Sequence, residues 1–246
     1  MSKPVYLITG ANRGIGFEIT RQLLSSNDAD VIAVTRSSKT AGPLKDLIAA
    51  ANETPEKAAT SKTRLLEFDV TNPESIKAAV HELQTSGVSK VDVLINNAGI
   101  LMNRGSPMSA LSNLDFANIL DTNVVGPHNV ISAFIPMLKV EGSKKIVVNI
   151  SSGLGSVEMN SGNMTGGYNV SKAALNMLTK QYSQELGSTG LTFVAVDPGW
   201  VQTDMGGKHA ALKPSESVAA ILETISLLKH GDNGSFINRF GKKLPF

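Results

Sequence analysis

Short apolar runs alternate along this chain with longer segments in which apolar residues recur at the spacing of a helix face. The runs are nearly continuous in Val, Ile and Leu, which predicts strands that are buried on both faces. The segments between them reach about ten residues or more, which favours helices. The predicted strands are Pro4–Thr9, Val31–Thr35, Arg64–Phe68, Val91–Asn96, Lys145–Ser151, Leu191–Val196 and Gly234–Asn238.

Four intervening segments are interpreted as helices, three of them from a clear helical pattern. Phe17–Ser26 follows a glycine-rich turn, and the long apolar stretches Leu111–Leu138 and Gly167–Leu186 lie in the second half of the chain. Ser37–Lys62 is rich in Ala, Lys, Ser and Thr and looks more like a linker than any other part of the chain. We interpret it as a helix with exposed flanks.

The alternation of strands and helices predicts an α/β fold with a single Rossmann-type doubly wound parallel sheet of about seven strands, with helices on both faces. Its length of 246 residues, without internal repeats, predicts one domain over residues 1–246. Ligands of such sheets bind beyond the carboxyl ends of the strands. The residues expected at that edge are Gly10, Arg36, Asp69, Asn97, Ser152 and Pro198.

Composition excludes several classes of function. A net charge of +2 is close to balance, so no nucleic-acid or membrane-surface binding is expected. The absence of cysteine excludes disulfides and thiolate chemistry, and the four histidines lack metal-ligand spacing. No long apolar stretch or signal-like N-terminal segment occurs. We therefore expect a soluble, cytoplasmic protein without a metal site.

A glycine-rich segment, Gly10-Ala-Asn-Arg-Gly14-Ile-Gly16, joins the first predicted strand to the first predicted helix. Glycines allow the backbone to approach a phosphate, and the free N–H groups at a helix N-terminus favour an anion. The spacing is G-x-x-x-G-x-G and differs from the more common G-x-G-x-x-G. The segment predicts a dinucleotide site, with a tight turn shaped by glycines as the alternative.

Tyr168-Asn-Val-Ser-Lys172 lies in a segment that favours a helix. Because residues one turn apart share a helix face, the Lys172 ammonium can lie beside the Tyr168 phenol. A phenol normally titrates near about 10, and a neighbouring positive charge lowers its pKa. The pair therefore predicts a proton donor and acceptor, with an interfacial Tyr and a solvated Lys as the alternative.

The residues after the second predicted strand bear on the choice of cofactor. An acidic residue about 20 positions beyond the glycines binds the ribose hydroxyls of NAD, whereas an Arg there accommodates the extra phosphate of NADP. Arg36 stands at that distance after Gly16, and Arg13 lies within the glycine loop. These two residues, with Thr35 and Ser37, predict a site for the 2′-phosphate of NADP(H). The alternative is that either Arg is solvated surface.

Five motifs occur in the order found in the classical short-chain dehydrogenase/reductase family, which this chain resembles from residue 9 to 199. Two later segments, Pro198–Gly207 and Phe236–Phe246, are similar to the sniffer and C-signal type of carbonyl reductase and to fungal polyketide ketoreductases. The five motifs are Thr9-Gly-Ala-Asn-Arg-Gly-Ile-Gly16, Asn96-Asn97-Ala98-Gly99, Ser152, Tyr168-x-x-x-Lys172 and Asp197-Pro198-Gly199.

The resemblance implies a role for each catalytic candidate in the reduction of a carbonyl. Tyr168 matches the proton donor, and Lys172 matches the residue that lowers its pKa and binds the nicotinamide ribose. Ser152, preferred over Ser151 by position in the family pattern, would hydrogen-bond the substrate oxygen. Asn123 matches the Asn that positions Lys172 through water, with a local backbone hydrogen bond as the alternative.

The resemblance also implies a set of NADP(H) contacts. Asp69 and Asn97 follow strands and could equally cap strand ends, and the Asp197-Pro198-Gly199 motif is first a turn signal. The predicted cofactor-binding residues are Gly10, Asn12, Arg13, Gly14, Ile15, Gly16, Thr35, Arg36, Asp69, Val70, Asn97, Ala98, Gly99, Tyr168, Lys172, Pro198, Gly199, Val201 and Thr203.

The expected substrate is a small, hydrophobic aldehyde, ketone or quinone. Apolar and adaptable side chains occur in the segments that would line its pocket, although methionines are equally often core residues. A non-catalytic NADP-sensing regulator and a signalling protein are the alternative functions. Leu111–Leu138 and Gly167–Leu186 could form the helix-pair interface that is common in the family, which would give a homodimer or homotetramer. The pocket candidates are Leu154, Met159, Met164, Trp200 and Met205.

Overall fold

The computed structural model describes residues 3–53, 61–142, 144–162 and 165–246. Within these residues, seven parallel strands form one sheet, as the sequence predicts, and their order is β3-β2-β1-β4-β5-β6-β7. Each strand begins and ends within two residues of its predicted bounds. The strands are β1 (Val5–Ile8), β2 (Asp30–Thr35), β3 (Arg64–Glu67), β4 (Val93–Asn96), β5 (Ile146–Ile150), β6 (Thr192–Asp197) and β7 (Ser235–Asn238).

The order of strands reverses at β1. On one side Leu7 is in register with Ile32 of β2, and on the other side it is in register with Leu94 of β4. Crevices that bind ligands form at such a reversal, outside the carboxyl ends of the strands. The glycine-rich segment follows β1 directly, so it lies at this reversal.

Helices connect the strands, and several of them begin at a side-chain cap. Asn72 accepts hydrogen bonds from the backbone N–H groups of Glu74 and Ser75 at the start of α3. Ser112 caps α4 in the same way through the N–H of Asp115. The helices are α1 (Gly14–Ser26), α2 (Gly42–Ala51), α3 (Pro73–Thr85), α4 (Asn113–Leu120), α5 (Gly126–Leu138), α6 (Gly166–Leu186) and α7 (Pro214–Leu227).

The sheet separates two hydrophobic cores. Successive residues of a strand point to opposite faces, so Leu7 packs in one core and Ile8 in the other. The first core contains residues of α3, α5 and α6, including Phe134. The second contains residues of α1, α2 and α7, including Ile19 and Ile221. Helices therefore cover both faces, which confirms the predicted α/β class.

Two predicted helices differ from the structure. Among the described residues of Ser37–Lys62, Gly42–Ala51 forms an α-helix, preceded by a short 3₁₀ turn at Ser38–Thr40, and residues 54–60 lie outside the described ranges. Within Leu111–Leu138, a π-helical turn at Asp121–Val125 separates α4 from α5. The prediction for Gly167–Leu186 is confirmed, because α6 starts one residue earlier and ends at Leu186.

Along the ranges that the structure describes, no helix is both long and apolar enough to cross a membrane. The same residues contain no group of three His, Cys, Asp or Glu side chains placed to hold a metal ion.

Candidate active site

Tyr168 and Lys172 lie on one face of α6 and are both buried. The Nζ atom of Lys172 is 5.5 Å from the centre of the Tyr168 ring. It donates a hydrogen bond of 2.7 Å to the carbonyl oxygen of Ile150, the last residue of β5. The spacing in the sequence therefore brings the phenol and the amine together at the carboxyl end of a central strand.

The two serines after β5 have different surroundings. The hydroxyl of Ser152 lies near enough to the Tyr168 phenol to lower its pKa, and its Oγ accepts a hydrogen bond from the backbone N–H of Leu154 at 3.2 Å. Ser151 is buried, and its hydroxyl donates to Oδ1 of Asn176 at 2.6 Å. Of the two serines, Ser152 is therefore the one whose hydroxyl acts on Tyr168, and its catalytic role stays a prediction.

Asn123 is fully buried in the π-helical turn. Its Oδ1 accepts from the N–H of Ile100 at 2.8 Å, and its Nδ2 donates to the carbonyl oxygen of Ile100 at 2.9 Å and to Oγ of Ser171 at 3.0 Å. Ile100 lies 23 residues away, so the alternative of a local backbone hydrogen bond is wrong. The Ser171 hydroxyl in turn donates to the carbonyl oxygen of Tyr168, which links Asn123 to α6.

The pKa of Tyr168 differs in direction from the sequence prediction. Burial of the phenol and the negative charge of Asp197 raise this pKa above its ordinary value, although the hydrogen bond from Ser152 and the charge of Arg104 oppose the shift. Burial also lowers the pKa of Lys172, to about 8, because the charged amine is removed from water. The predicted lowering of the Tyr168 pKa by Lys172 is therefore wrong for the protein alone.

The turn after β1 brings backbone atoms into close contact. Gly10 and Gly14 have φ values of +65° and +56°, a conformation that favours glycine. A Cβ atom added at Gly16 would collide with the carbonyl oxygen of Gly10 and would lie 2.5 Å from Nδ2 of Asn97. That Nδ2 donates to the carbonyl oxygens of Thr9 and Gly10 at 2.9 and 3.2 Å. Asn97 thus holds the turn in shape from the end of β4.

Helix α1 starts without a side-chain cap. Arg13 occupies the N-cap position but accepts no hydrogen bond there, and the first turn holds no acidic residue. Asn12 and Ile15 flank this position and are half-buried. In contrast with α3 and α4, the first N–H groups of α1 and the positive end of its dipole are left for an anion.

The two arginines predicted to hold a 2′-phosphate have separate environments. Arg36 is exposed beyond β2 and has no hydrogen bond or ion pair with any described residue. Nη1 of Arg13 lies 3.6 Å from Oδ2 of Asp204, in an ion pair whose side chains are both mostly exposed. The hydroxyl of Thr35 donates to the carbonyl oxygen of Ser37 at 3.2 Å. Arg36 is therefore the one of these groups without a competing partner among the described residues.

The turn after β3 satisfies its own polar groups. Oδ1 of Asp69 accepts from the N–H and the hydroxyl of Thr71 at 2.9 and 2.8 Å, as a strand-end cap would. Val70 packs against Gly126, where an added Cβ would lie 2.8 Å from its Cγ2. The carbonyl oxygen of Val70 accepts from Asn129 at 3.1 Å. These contacts fix the turn to the start of α5.

The loop after β6 returns to the glycine turn. The carbonyl oxygen of Pro198 accepts from Ser217 at 2.7 Å, and Val201 is buried. Cγ2 of Thr203 is 3.3 Å from the position that a Cβ of Gly14 would take. On the other side of the crevice, Gly99 lies near Asn123 and Lys172, with Ala98 preceding it after β4.

Sequence reasoning missed two charged residues that act on Tyr168. Asp197 ends β6 and raises the pKa of the phenol, whereas Arg104, from the loop after β4, lowers it. The Arg104 guanidinium donates to the carbonyl oxygens of Met205 and Gly206 and so connects the two loops on either side of the site. Asp197 was visible only as part of a turn motif, and no local pattern marks Arg104.

Comparison with known proteins supplies the family. The sequence model of the short chain dehydrogenase family matches residues 4–213, which is most of the chain. The chain belongs to the short-chain dehydrogenase family.

Solved structures and curated relatives agree with this placement. The carbonyl reductase Sniffer of Drosophila melanogaster has a TM-score of 0.89, with 30% identity and complete coverage of both chains. The NADPH-bound carbonyl reductase from chicken fatty liver has a TM-score of 0.87, with 33% identity and the same coverage. C-signal of Myxococcus xanthus is 38% identical over 63% of this chain and 93% of its own. The predicted resemblance to the sniffer and C-signal type is confirmed.

Large apolar side chains are exposed on the loops that follow β5 and β6. Leu154, Met159 and Trp200 are 38%, 42% and 55% exposed. The indole N–H of Trp200 donates to the carbonyl oxygen of Gly206 at 2.8 Å, which fixes the ring in place. Met205 is half-buried in the same loop. Met164, the fifth pocket candidate, lies outside the described residues.

The contact at Gly16 predicts a loss of nucleotide binding in this dehydrogenase. We expect Gly16→Ala to weaken NADPH binding at least ~10-fold, because the added methyl group pushes the turn out of shape at the helix N-terminus. Fluorescence titration with NADPH measures the change. Gly42→Ala is the matched control, since a Cβ there meets nothing within 4 Å. Equal affinities of the two variants would contradict the prediction.

The buried amine of Lys172 predicts a pH-dependent stability. Below about pH 8 both folded and unfolded chains carry the proton, but between that pH and 10.5 the unfolded chain retains it more strongly. Because the unfolded state then binds more protons, the free energy of unfolding rises with pH. Relative to Lys172→Met, we expect a gain of about 2 kcal/mol from about pH 8 to about pH 10.

Urea unfolding of both proteins at several pH values within that range measures this gain. The comparison stops near pH 10, because the raised pKa of Tyr168 acts in the opposite direction above it. A constant difference between the two proteins across the range would show that Lys172 titrates at its ordinary pKa.

Proposed function

We propose that this chain is a single-domain, NADPH-dependent reductase of aldehydes or ketones. The observation that carries the proposal is the meeting of Ser152, Tyr168 and Lys172 beyond the carboxyl end of β5. Two neighbouring hydroxyl groups can both donate to one carbonyl oxygen, which stabilises the negative charge that develops there during reduction. The similarity to two carbonyl reductases over their whole lengths supports the same reaction.

The surroundings of the glycine turn fit NADPH. The uncapped start of α1 offers N–H groups to the pyrophosphate, and glycine at position 16 lets Gly10 and Asn97 pack closely against this helix start. Arg36 is free to pair with a 2′-phosphate, and no acidic residue follows β2 to favour NAD. NADPH, when bound, supplies the hydride. The similar chicken carbonyl reductase has NADPH bound.

The protein's own side chains then bind and protonate the carbonyl oxygen of the substrate. The hydroxyls of Ser152 and Tyr168 stabilise the negative charge that develops on it, and Tyr168 gives its proton to form the alcohol. The raised pKa of Tyr168 keeps the phenol protonated at neutral pH, which favours reduction. Oxidation of an alcohol would need the phenolate, which burial and Asp197 disfavour. Lys172, held at the end of β5, contributes a positive charge when it is protonated.

The exposed apolar residues of the loops after β5 and β6 favour a hydrophobic carbonyl compound, such as an aromatic aldehyde, a quinone or a cyclic ketone. Trp200 offers a fixed aromatic face, and Leu154 and Met159 lie on the segment after Ser152. A polyketide ketone is the alternative substrate class, suggested by the resemblance to fungal ketoreductases.

A second candidate function is a role in signalling or NADP sensing without catalysis. The similarity to C-signal over 63% of this chain favours it. A pure sensor has no chemical need for a hydroxyl pair beside a buried amine, so the arrangement at Tyr168 favours the enzyme. The cytoplasmic location and a homodimeric or homotetrameric state stay predictions.

Oxidation of NADPH, followed at its absorbance maximum with a panel of aldehydes, quinones and cyclic ketones, tests the proposed function. We expect turnover with at least one hydrophobic carbonyl compound and a dependence of the rate on Tyr168. Binding of NADPH with no turnover across the panel would favour the sensor instead. Absence of NADPH binding would overturn both assignments.

A further inference from the structure

Asn176 lies one helical turn beyond Lys172 and contacts the segment that carries Ser152. We propose that Asn176 is a positioning residue, which holds Ser152 in place against Tyr168 without touching the substrate. The proposal rests on the proposed reductase function. Asn176 is 2% exposed, so its side-chain amide works inside the protein.

The Asn176 amide forms hydrogen bonds with the segment at two points, one on each side of Ser152. Its Oδ1 accepts from the hydroxyl of Ser151 at 2.6 Å, and its Nδ2 donates to the carbonyl oxygen of Gly155 at 3.3 Å. Ser151 and Gly155 are both buried. A single side chain therefore fixes both ends of the stretch in which Ser152 lies.

The same side chain connects this stretch to the catalytic helix. Tyr168, Lys172 and Asn176 follow one another at intervals of one turn on α6, so they share a face. Gly155 lies directly on this helix, because a Cβ added there would be 2.7 Å from the carbonyl carbon of Lys172. The position of Ser152 relative to Tyr168 is thus set through contacts with α6 itself.

Between the two residues that bond to Asn176, Ser151 and Gly155, the backbone forms a tight turn. The N–H of Gly155 donates to the carbonyl oxygen of Ser152 at 2.9 Å, and the N–H of Leu154 donates to Oγ of Ser152 at 3.2 Å. Leu154 itself is exposed and gives the turn little packing. Release of one end would therefore let Ser152 move relative to Tyr168, and displacements of about 1 Å in an active site can cost ~10²-fold in rate.

A double-mutant cycle tests whether Asn176 acts through Ser152. We expect Asn176→Ala to lower kcat about tenfold with little change in the KM for NADPH, since the nucleotide contacts are elsewhere. In the Ser152→Ala background, the same substitution should change kcat less than about twofold, because the group that it positions is gone. Similar losses in both backgrounds would overturn the proposal.

Two further variants separate positioning from general destabilisation. Ser151→Ala removes one of the two hydrogen bonds of Asn176 with little loss of volume, and it should also lower kcat. Thr179→Val is the matched control, because Thr179 is buried one turn further along α6 and accepts a 2.8 Å hydrogen bond from Asn149, away from Ser151 and Gly155. We expect its kcat to stay within about twofold of the wild type. A kcat of Thr179→Val as low as that of Asn176→Ala would contradict the inference.

Amide hydrogen exchange provides a measurement that does not depend on catalysis. The peptide covering residues 151–156 should exchange faster in Asn176→Ala than in the wild type and in Thr179→Val. Unchanged exchange in this peptide would overturn the proposal even if kcat falls. If the wild type reduces no carbonyl compound, the proposed function fails, and the exchange rates alone decide whether Asn176 holds the Ser152 segment.

Discussion

Replacement of Tyr168 by Phe is expected to lower turnover at least ~10²-fold while leaving NADPH affinity nearly unchanged. The substitution removes only the phenolic hydroxyl near Ser152, and the ring keeps its buried position on α6. The proposed proton donor is thereby lost, together with one of the two hydroxyl groups proposed to donate to the substrate oxygen. Steady-state kinetics with a carbonyl substrate and an NADPH titration measure the two quantities separately.

Tyr182→Phe is the control for this substitution. Tyr182 is also buried on α6, and its hydroxyl contacts Nδ1 of His128 at 2.7 Å and Oγ of Ser132 at 3.0 Å, away from the crevice. We expect it to keep most of the wild-type turnover. Near-wild-type turnover of Tyr168→Phe would remove Tyr168 from the role of proton donor.

Replacement of Arg36 by Asp is expected to shift the preference from NADPH toward NADH. Charged hydrogen bonds of the kind that Arg36 would make to a 2′-phosphate are each worth about 1.5–3 kcal/mol, so their loss should change the ratio of kcat/KM values about 10²-fold. An acidic residue at this position would also bind the ribose hydroxyls of NADH. Kinetics with both nucleotides give the ratio directly.

The Arg13→Ala variant shows which of the two arginines binds the 2′-phosphate. Arg13 already has a partner in Asp204, so we expect its removal to change the NADPH to NADH ratio less than Arg36→Asp does. An unchanged ratio in Arg36→Asp, with a large change in Arg13→Ala, would assign the phosphate to Arg13 and would show that Arg36 points elsewhere.

The fold was predictable because its signals are local and repeat along the chain. Each buried strand is an apolar run, as in Val31–Thr35, and parallel pairing follows from the helices between the runs. The meeting of Tyr168 with Lys172 was predictable for a similar reason, since helical spacing alone places them on one face. Ser152 and the glycine turn each follow a parallel strand, so they lie at the same edge of the sheet.

The direction of the Tyr168 pKa was not predictable in this way. It depends on burial and on the charge of Asp197, which reaches the site from another strand, and no spacing in the sequence reports either. The same holds for Arg104 and for the pairing of Arg13 with Asp204, which bring together residues from separate loops. Long-range packing decides these contacts.

The π-helical turn at Asp121–Val125 was hidden for a different reason. Its residues continue the apolar pattern of the flanking helices, so Leu111–Leu138 is interpreted as one helix. The amide of Asn123 bonds to Ile100 and Ser171, and these contacts accompany the widened turn. Such turns often occur at functional sites.

The close seating of Gly155 on α6 bears on attempts to redesign the specificity of this enzyme. Exchange of the segment after Ser152 with that of a relative is a natural way to reshape the entrance, since Leu154 and Met159 are on the surface. A donor segment with any side chain in place of Gly155 would be forced away from the backbone of Lys172. Successful chimaeras should therefore be those that retain glycine at this point, whatever sequence surrounds it.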